Sequence, residues 1–469
     1  MISMTLGQIA SAMEARCDAA DRETRVDRVV TDSRDARAGD LFFAIPGPRC
    51  DGHEFVREAI ARGAVACVCS REPSPKGRAK GAPAPCLIVT DTVAALGQLA
   101  AYYRRNVLRP ETVVVAVTGS NGKTTTKCMI DHVLGGSFPG RASPKSFNNQ
   151  IGVPLTLLSA EPSDRYLILE IGTNALGEIA ALADIATPNA AVITSIGEAH
   201  LQAFGTTEAI AAEKASLLNY VRPGGLAVVN VDRLEIRPHL LGDWGLRVVS
   251  IGFTPGAKLT ISDAWGTIQS TTFVLDGRHK VELPMPGVHH ATNAAAAFAV
   301  ARWFGLAPEE ILERLRTFVP PAGRTCVQTI GGVTLVDDTY NANPASVAAA
   351  IHTLRTASTG RRVLVLGDML ELGRDEAAFH RRTVRAVVDA GIEILVAVGP
   401  QTAQAARELH GTAPATELLP CADSRAADDV LAQLARPGDT IWIKASRGMQ
   451  LDWLVRRWET RSLPAAAVA

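Results

Sequence analysis

Val113-Val-Val-Ala-Val-Thr-Gly119-Ser120-Asn121-Gly122-Lys123-Thr124-Thr125-Thr126-Lys127 is the stretch on which the rest of the chain turns. A run of β-branched and small apolar residues, then glycines, then Lys-Thr, reads as a buried parallel strand entering a helix through a phosphate-binding loop. Gly119 and Gly122 let the backbone curl so that loop N–H groups and the positive helix end face an anion. Ser120, Asn121 and Thr125 complete the cradle, Lys123 adds a mobile charge and the Thr124 hydroxyl suits Mg2+. The G-x-x-x-x-G-K-[ST] spacing asks for glycine at position 117; the chain has Val117, and its loop starts at Gly119 instead. A lysine about 4 Å from a phosphate oxygen gains about 4 kcal/mol at an effective dielectric of about 20. The loop therefore predicts a bound nucleotide, ATP in the first instance.

Outward from this loop, apolar strands alternate with helical segments at Val113–Val117, Tyr166–Ile171, Ala190–Ile196 and Leu226–Val231. The alternation predicts a parallel sheet covered by helices on both faces. Between Leu246 and Pro284 the strand signals become short and turn-separated, with Asp276-Gly277 as a hairpin turn, which predicts an antiparallel appendage. Ala291–Phe304 reads as an alanine-rich helix, and Pro320-Pro321 marks a boundary. A second alternation follows, with strands at Val333–Val336, Val363–Leu366, Ile394–Val398 and Ile441–Lys444. It lacks the G-x-G-x-x-G fingerprint, so a Rossmann-like sheet without a dinucleotide is expected. Before the loop, a smaller mixed region has a strand after a tight turn at Gly39–Ile45, an exposed Arg71–Pro85 loop and a helix at Ala94–Tyr103. The expected fold is thus α/β in three domains, 1–110, 111–320 and 321–469, on a prior of roughly 150 residues per domain.

Composition excludes several classes. Lys+Arg and Asp+Glu are both 48 of 469 residues, which leaves no general charge for nucleic acid or anionic membrane. No apolar leader opens the chain and no stretch approaches 18 apolar residues, so a cytoplasmic protein without membrane insertion is expected. The 8 cysteines are scattered without a C-x-x-C pair, which predicts reduced thiols and no zinc site.

Glu170 closes its strand at the sheet edge where ligands and Mg2+ sit. His200 follows another strand end, and Lys214 lies on a helix; spacing alone leaves each open between a structural and a metal role. Three polar loops follow C-terminal strands: Asp337-Asp-Thr-Tyr-Asn-Ala-Asn-Pro344, Leu366-Gly-Asp-Met-Leu-Glu-Leu-Gly373 and Lys444-Ala-Ser-Arg-Gly448. Together they predict a binding face on one sheet edge.

These blocks, with Phe147-Asn-Asn-Gln-Ile-Gly-Val-Pro-Leu-Thr, Glu170-Ile-Gly-Thr-Asn and Ala199-His-Leu, resemble the Mur ligase family over nearly the whole chain. The resemblance implies that the first domain holds a uridine nucleotide, the central one ATP and the last the incoming amine. Ser33 and Arg34 would contact the UDP-sugar and Asn149 the muramoyl part. Thr124 and Glu170 would hold one Mg2+, and His200 with a carbamylated Lys214 a second. Asn293 matches an adenine contact, Arg324 a phosphate contact, Asp338, Tyr340 and Asn341 a nucleotide-facing loop, and Ser446 a substrate contact. The last blocks imply UDP-N-acetylmuramoyl-tripeptide and D-alanyl-D-alanine as the substrates; a monomer is expected. The chain departs from the family pattern at His289-His290, at Ala445 and at Ser216.

Two rival classes remain at this level. One is a nucleotide-dependent switch; the absence of an N-K-x-D motif and the three polar C-terminal loops argue against it. The other is a sibling ligase for a single amino acid or a folate polyglutamate synthase, against which the Tyr340-Asn-Ala-Asn-Pro block stands.

Overall fold

Strand Val113–Thr118 lies inside a nine-stranded sheet in the computed structural model, which describes residues 4–17, 22–48, 50–72, 86–198, 201–242, 244–411 and 415–460. On one side of it runs Tyr166–Glu170, then Gly140–Ala142; on the other run Ala190–Ile193, Leu226–Asn230 and Arg247–Gly252, all parallel. Its neighbours come from later in the chain on both sides, so the order reverses beside it and a crevice opens at the carboxyl ends. Thr118, Glu170 and Ile193 end together there.

The expected antiparallel appendage is corrected in one respect. Arg247–Gly252 pairs in parallel with Leu226–Asn230 and belongs to the main sheet. The antiparallel part is Leu259–Gly266, Thr271–Leu275 and His279–Leu283. Asp276 and Gly277 have φ of 54° and 63°, as a tight hairpin turn requires.

The C-terminal sheet has six strands: Cys326–Ile330, Val333–Asp338, Thr440–Lys444, Arg362–Gly367, Ile394–Val398 and Glu417–Cys421, only the first antiparallel. The two outer strands escaped the sequence reading. The N-terminal sheet runs Arg16–Cys17, Cys86–Ile88, Ala66–Cys69, Asp40–Phe43 and Arg28–Val30. Gly39, at φ 87°, supplies the tight turn before Asp40–Phe43. Most of the expected Arg71–Pro85 loop lies outside the described residues. Among those described, no helix is long and apolar enough to cross a membrane.

Helix Thr92–Asn106 joins the N-terminal part to the centre. Leu96, Leu99 and Tyr103 share one buried cluster with Leu157 and Leu182. Arg104, 1% exposed, donates to Ala186 O and Thr187 O at 3.0 Å and to Asn189 Oδ1 at 2.8 Å. Removing it takes the donor from the two carbonyls, while Asn189 Oδ1 keeps its bond from Val114 N at 2.9 Å. Arg104→Ala is expected to cost about 3 kcal/mol of unfolding free energy, read as a lowered denaturant midpoint; a midpoint within error of wild type would contradict this role.

Candidate functional site

The Lys123–Gly135 helix begins at Gly122, φ 83°, and no side chain caps it. Its first N–H groups are therefore left to a ligand. Glycine is obligatory twice here. A Cβ on Gly119 would sit 2.0 Å from Thr194 Oγ1, and one on Gly122 would sit 2.4 Å from Asn293 Oδ1. Ser195 braces the loop: its carbonyl accepts from Ser120 N at 2.9 Å and its hydroxyl from Asn121 N at 2.8 Å. Lys123 Nζ folds onto Gly119 O at 2.6 Å. Burial lowers the Lys123 pKa, an effect that Glu170 opposes and Arg324 reinforces.

Glu170 is 1% exposed. Its Oε1 accepts from Asn148 Nδ2 at 3.1 Å, and its Oε2 faces Lys127 Nζ at 3.2 Å without an aligned hydrogen bond. Lys127 donates to Ser143 O at 2.8 Å and also to Lys145 O. Thr124 Oγ1 lies 3.5 Å from Ser146 Oγ and accepts from Arg324 Nη2 at 3.2 Å. A buried carboxylate oxygen without an aligned donor, at a strand end beside a phosphate loop, is a donor type that fits Mg2+. Glu170 and Thr124 would hold it. His200 falls outside the described residues. No group of three His, Cys, Asp or Glu residues among those described forms a metal cluster.

Lys214, 3% exposed near the end of helix Thr207–Ala215, lines neither of the two cavities described below. Its neighbour Glu213 accepts from Gly177 N at 2.8 Å and Ile179 N at 2.9 Å, so it caps the start of the earlier helix Glu178–Ala186. Ser216 donates to Glu213 O at 2.6 Å and ends the turn. Burial, then the Lys123 charge, lowers the Lys214 pKa from 10.5 to about 7.

Asn293 is occupied by the protein. Its Oδ1 accepts from Thr126 at 3.1 Å, and its Nδ2 meets His290 Nδ1 at 3.1 Å. His290 Nε2 in turn meets the Thr325 hydroxyl at 3.1 Å. Burial holds His290 well below its usual pKa and His289 at about 4. With its ring neutral and Nδ1 accepting from Asn293, His290 donates from Nε2. At the His289-His290 departure, His290 thus links Asn293 to Thr325.

The three C-terminal loops do converge. Lys444 Nζ binds Asp338 Oδ2 at 2.7 Å and Asn341 O at 3.0 Å. Ser446 Oγ accepts from Leu370 N at 2.9 Å and donates to Ala342 O at 3.3 Å, so it ties the loops together. Ala445 is fully buried; a Cβ on Gly367 would sit 2.6 Å from its methyl. Across the crevice Asn343 Nδ2 donates to Asn121 Oδ1 at 2.7 Å. Arg324 lies 4.0 Å over the Tyr340 ring.

Two cavities result. One, about 610 Å³, is lined by the phosphate loop, Thr194, Phe253, His289, Asn293 and Lys444. The other, about 550 Å³, is lined by Asn148, Asn149, Glu170, Tyr340, Leu370 and Ser446. Lys123, Arg324, Asn341 and Asn343 line both, and so form the junction. Asn149 Oδ1 also accepts from Ile151 N at 3.2 Å and Gly152 N at 3.0 Å. Ser33 and Arg34 line neither cavity. Ser33 donates to Glu58 Oε2 at 3.1 Å and Arg34 folds back on Asp32 at 2.6 Å, while Ile45, Pro46 and Val93 bring the N-terminal part to the second cavity. Lys127, Asn148 and Asn343 were missed. Their only sequence signal is adjacency to the glycine loop, to Asn149 and to Pro344.

Comparison with known proteins agrees with this layout. Residues 117–301 match the Mur ligase middle domain, 323–447 the Mur ligase glutamate ligase domain and 25–104 the Mur ligase family catalytic domain. The UDP-N-acetylmuramoyl-tripeptide–D-alanyl-D-alanine ligase of Bacillus subtilis is 33% identical, covering 97% of this chain and 98% of the relative. A crystal structure of MurF from Acinetobacter baumannii superposes with TM-score 0.86 at 30% identity, over 98% of this chain and 99% of that one. MurF ligase from Thermotoga maritima in complex with ADP gives TM-score 0.80 at 28% identity, over 93% and 97%.

The Lys214 shift has a measurable sign. Between pH 7 and 10.5 the unfolded chain holds more of the proton than the folded one. Burial of this amine therefore costs most stability at and below pH 7, and the cost is gone above the unfolded value. In bicarbonate-free buffer Lys214→Met is expected to stabilise the protein by roughly 2 to 4 kcal/mol at pH 7, falling to about half or less at pH 9.5. A gain independent of pH, by denaturant titration, would count against a neutral buried amine.

Proposed function

The chain belongs to the Mur ligase family, and we propose that it joins D-alanyl-D-alanine to UDP-N-acetylmuramoyl-tripeptide, consuming ATP and yielding ADP, phosphate and the pentapeptide precursor of peptidoglycan. The single observation that carries the proposal is the junction of two cavities at Lys123 and Arg324. A nucleotide on one side and a carboxylate on the other would meet where the cations are.

A carboxylate is a poor electrophile, so it needs activation before an amine can displace an oxygen. ATP in the first cavity would lay its phosphates on the open helix end, with Lys123 and Arg324 beside the terminal phosphoryl group. These charges offset the negative charge that gathers as an acceptor carboxylate attacks, forming an acyl phosphate and ADP. The dipeptide amine then adds to the acyl carbon, and phosphate leaves from the tetrahedral intermediate. Mg2+ held by Thr124 and Glu170 would neutralise phosphate charge and align the transferred group. Lys127 and Asn148 would keep Glu170 oriented towards it. The neutral fraction of the Lys214 amine is nucleophilic towards carbon dioxide, consistent with a carbamate that serves a second cation with His200.

Within this scheme residues 1–110 serve the UDP-sugar, 111–320 ATP and 321–469 the dipeptide. The N-terminal contacts of Ser33 and Arg34 would have to be exchanged for ligand contacts, and Asn293 would have to share its amide with adenine. Both cavities are built from one chain, which supports a monomer as the working unit. ATP and a nucleotide sugar as substrates support a cytoplasmic location.

The test is phosphate release from ATP and Mg2+ with UDP-N-acetylmuramoyl-tripeptide, with and without D-alanyl-D-alanine, followed by product mass. Release that depends on the dipeptide, with a product heavier by the dipeptide less water, is expected. Turnover without that product would sink the proposal and return the switch or a sibling ligase.

A further inference from the structure

The peptide-side cavity carries three cations: Lys123, Arg324 and Arg447. Two are committed to the phosphate junction. Lys123 lies on the phosphate loop at Gly119 O, 2.6 Å away, and Arg324 reaches Thr124 Oγ1 at 3.2 Å. Arg447 is different. It follows Ser446 on the third C-terminal loop and is exposed, and among the described residues no carboxylate pairs with it. Its guanidinium stands 5.6 Å over the ring of Tyr340, whose ring also carries Arg324 at 4.0 Å. The ring gives the guanidinium a cation–π contact that leaves its charge unneutralised.

The ligands need an anion partner at this place. The acceptor presents its reacting carboxylate to the junction, where Lys123 and Arg324 are. The dipeptide must place its amine there as well, so its own carboxylate lies two residues further out, towards the C-terminal loops. We propose that Arg447 binds the terminal carboxylate of the incoming dipeptide, and so makes the enzyme demand a free carboxyl end. The inference rests on the ligase reading. A guanidinium fork matches a carboxylate in two parallel hydrogen bonds, which also orients the chain between them. The loop that holds Arg447 is anchored to the other two loops by the Ser446 contacts to Leu370 N and Ala342 O.

The experiment compares wild type, Arg447→Gln and Arg447→Lys with two amine substrates, D-alanyl-D-alanine and its C-terminal amide, and measures KM and kcat for each substrate in turn. Loss of one charge-assisted contact is worth about 10- to 100-fold. Wild type should prefer the acid over the amide by about that factor, and Arg447→Gln should raise KM for the acid and abolish the preference. Its KM for ATP and for the UDP-linked acceptor should stay near wild type, with Arg447→Lys in between. Retained acid-over-amide preference in Arg447→Gln would overturn the inference. So would a KM change that falls on the UDP-linked acceptor, whose own carboxylates would then be the partner. Failure of wild type to join the dipeptide at all would instead remove the ligase reading, and with it the inference.

Discussion

A helix whose first turn has no cap is the constraint on which this structure depends. Leaving the N–H groups of residues after Gly122 unpaired forgoes about 1 kcal/mol that a capping side chain normally provides. The chain accepts this at the point where the central sheet reverses its order, so the open helix end faces the crevice. Side chains cannot intrude, because the space beside Gly119 and Gly122 is already filled by Thr194 and Asn293. An anion is therefore the only partner the loop geometry is shaped to receive.

Around this loop the domains are joined by polar side chains rather than by apolar packing alone. Thr126, Asn293, His290 and Thr325 form one hydrogen-bonded chain from the phosphate helix to the segment just after Pro320-Pro321. Asn121 and Asn343 pair across the crevice, and Arg324 reaches Thr124. The first chain is buried, whereas the Asn121–Asn343 and Arg324–Thr124 bonds are the partly buried ones that cross the crevice. The crevice bonds place C-terminal groups against the nucleotide loop. Neutral His290 suits the buried chain, because a charged imidazole there would face Arg324 and Lys444.

Much of the fold was legible because it is written in local pattern. The Val113–Thr118 and Tyr166–Glu170 strands are apolar runs up to their last residue, as strands buried on both faces must be. Arg247–Gly252 reads as part of the antiparallel appendage because it is short and followed by turn-separated strands, whereas it pairs in parallel with Leu226–Asn230. Cys326–Ile330 and Glu417–Cys421 were missed for a different reason: edge strands bury little, and Pro420 interrupts the second. At the site, glycine spacing and a strand-end carboxylate pointed to Lys123, Thr124 and Glu170. The Asn121–Asn343 pair could not be read, since its partners are 222 residues apart and meet only through tertiary packing. Lys127 was passed over because a lysine on a helix is ordinarily solvated, and its burial against Glu170 follows from where the 143–146 loop crosses.

The central claim is that a phosphoryl group passes from one cavity to a carboxylate in the other at the Lys123–Arg324 junction. The most direct measurement is the fate of oxygen-18 placed in the reacting carboxylate of UDP-N-acetylmuramoyl-tripeptide during a turnover with ATP and D-alanyl-D-alanine. Transfer through an acyl phosphate moves one carboxylate oxygen into inorganic phosphate, so the account predicts that, with both carboxylate oxygens labelled, every phosphate released carries one label. Unlabelled phosphate, released alongside the completed amide product, would contradict it.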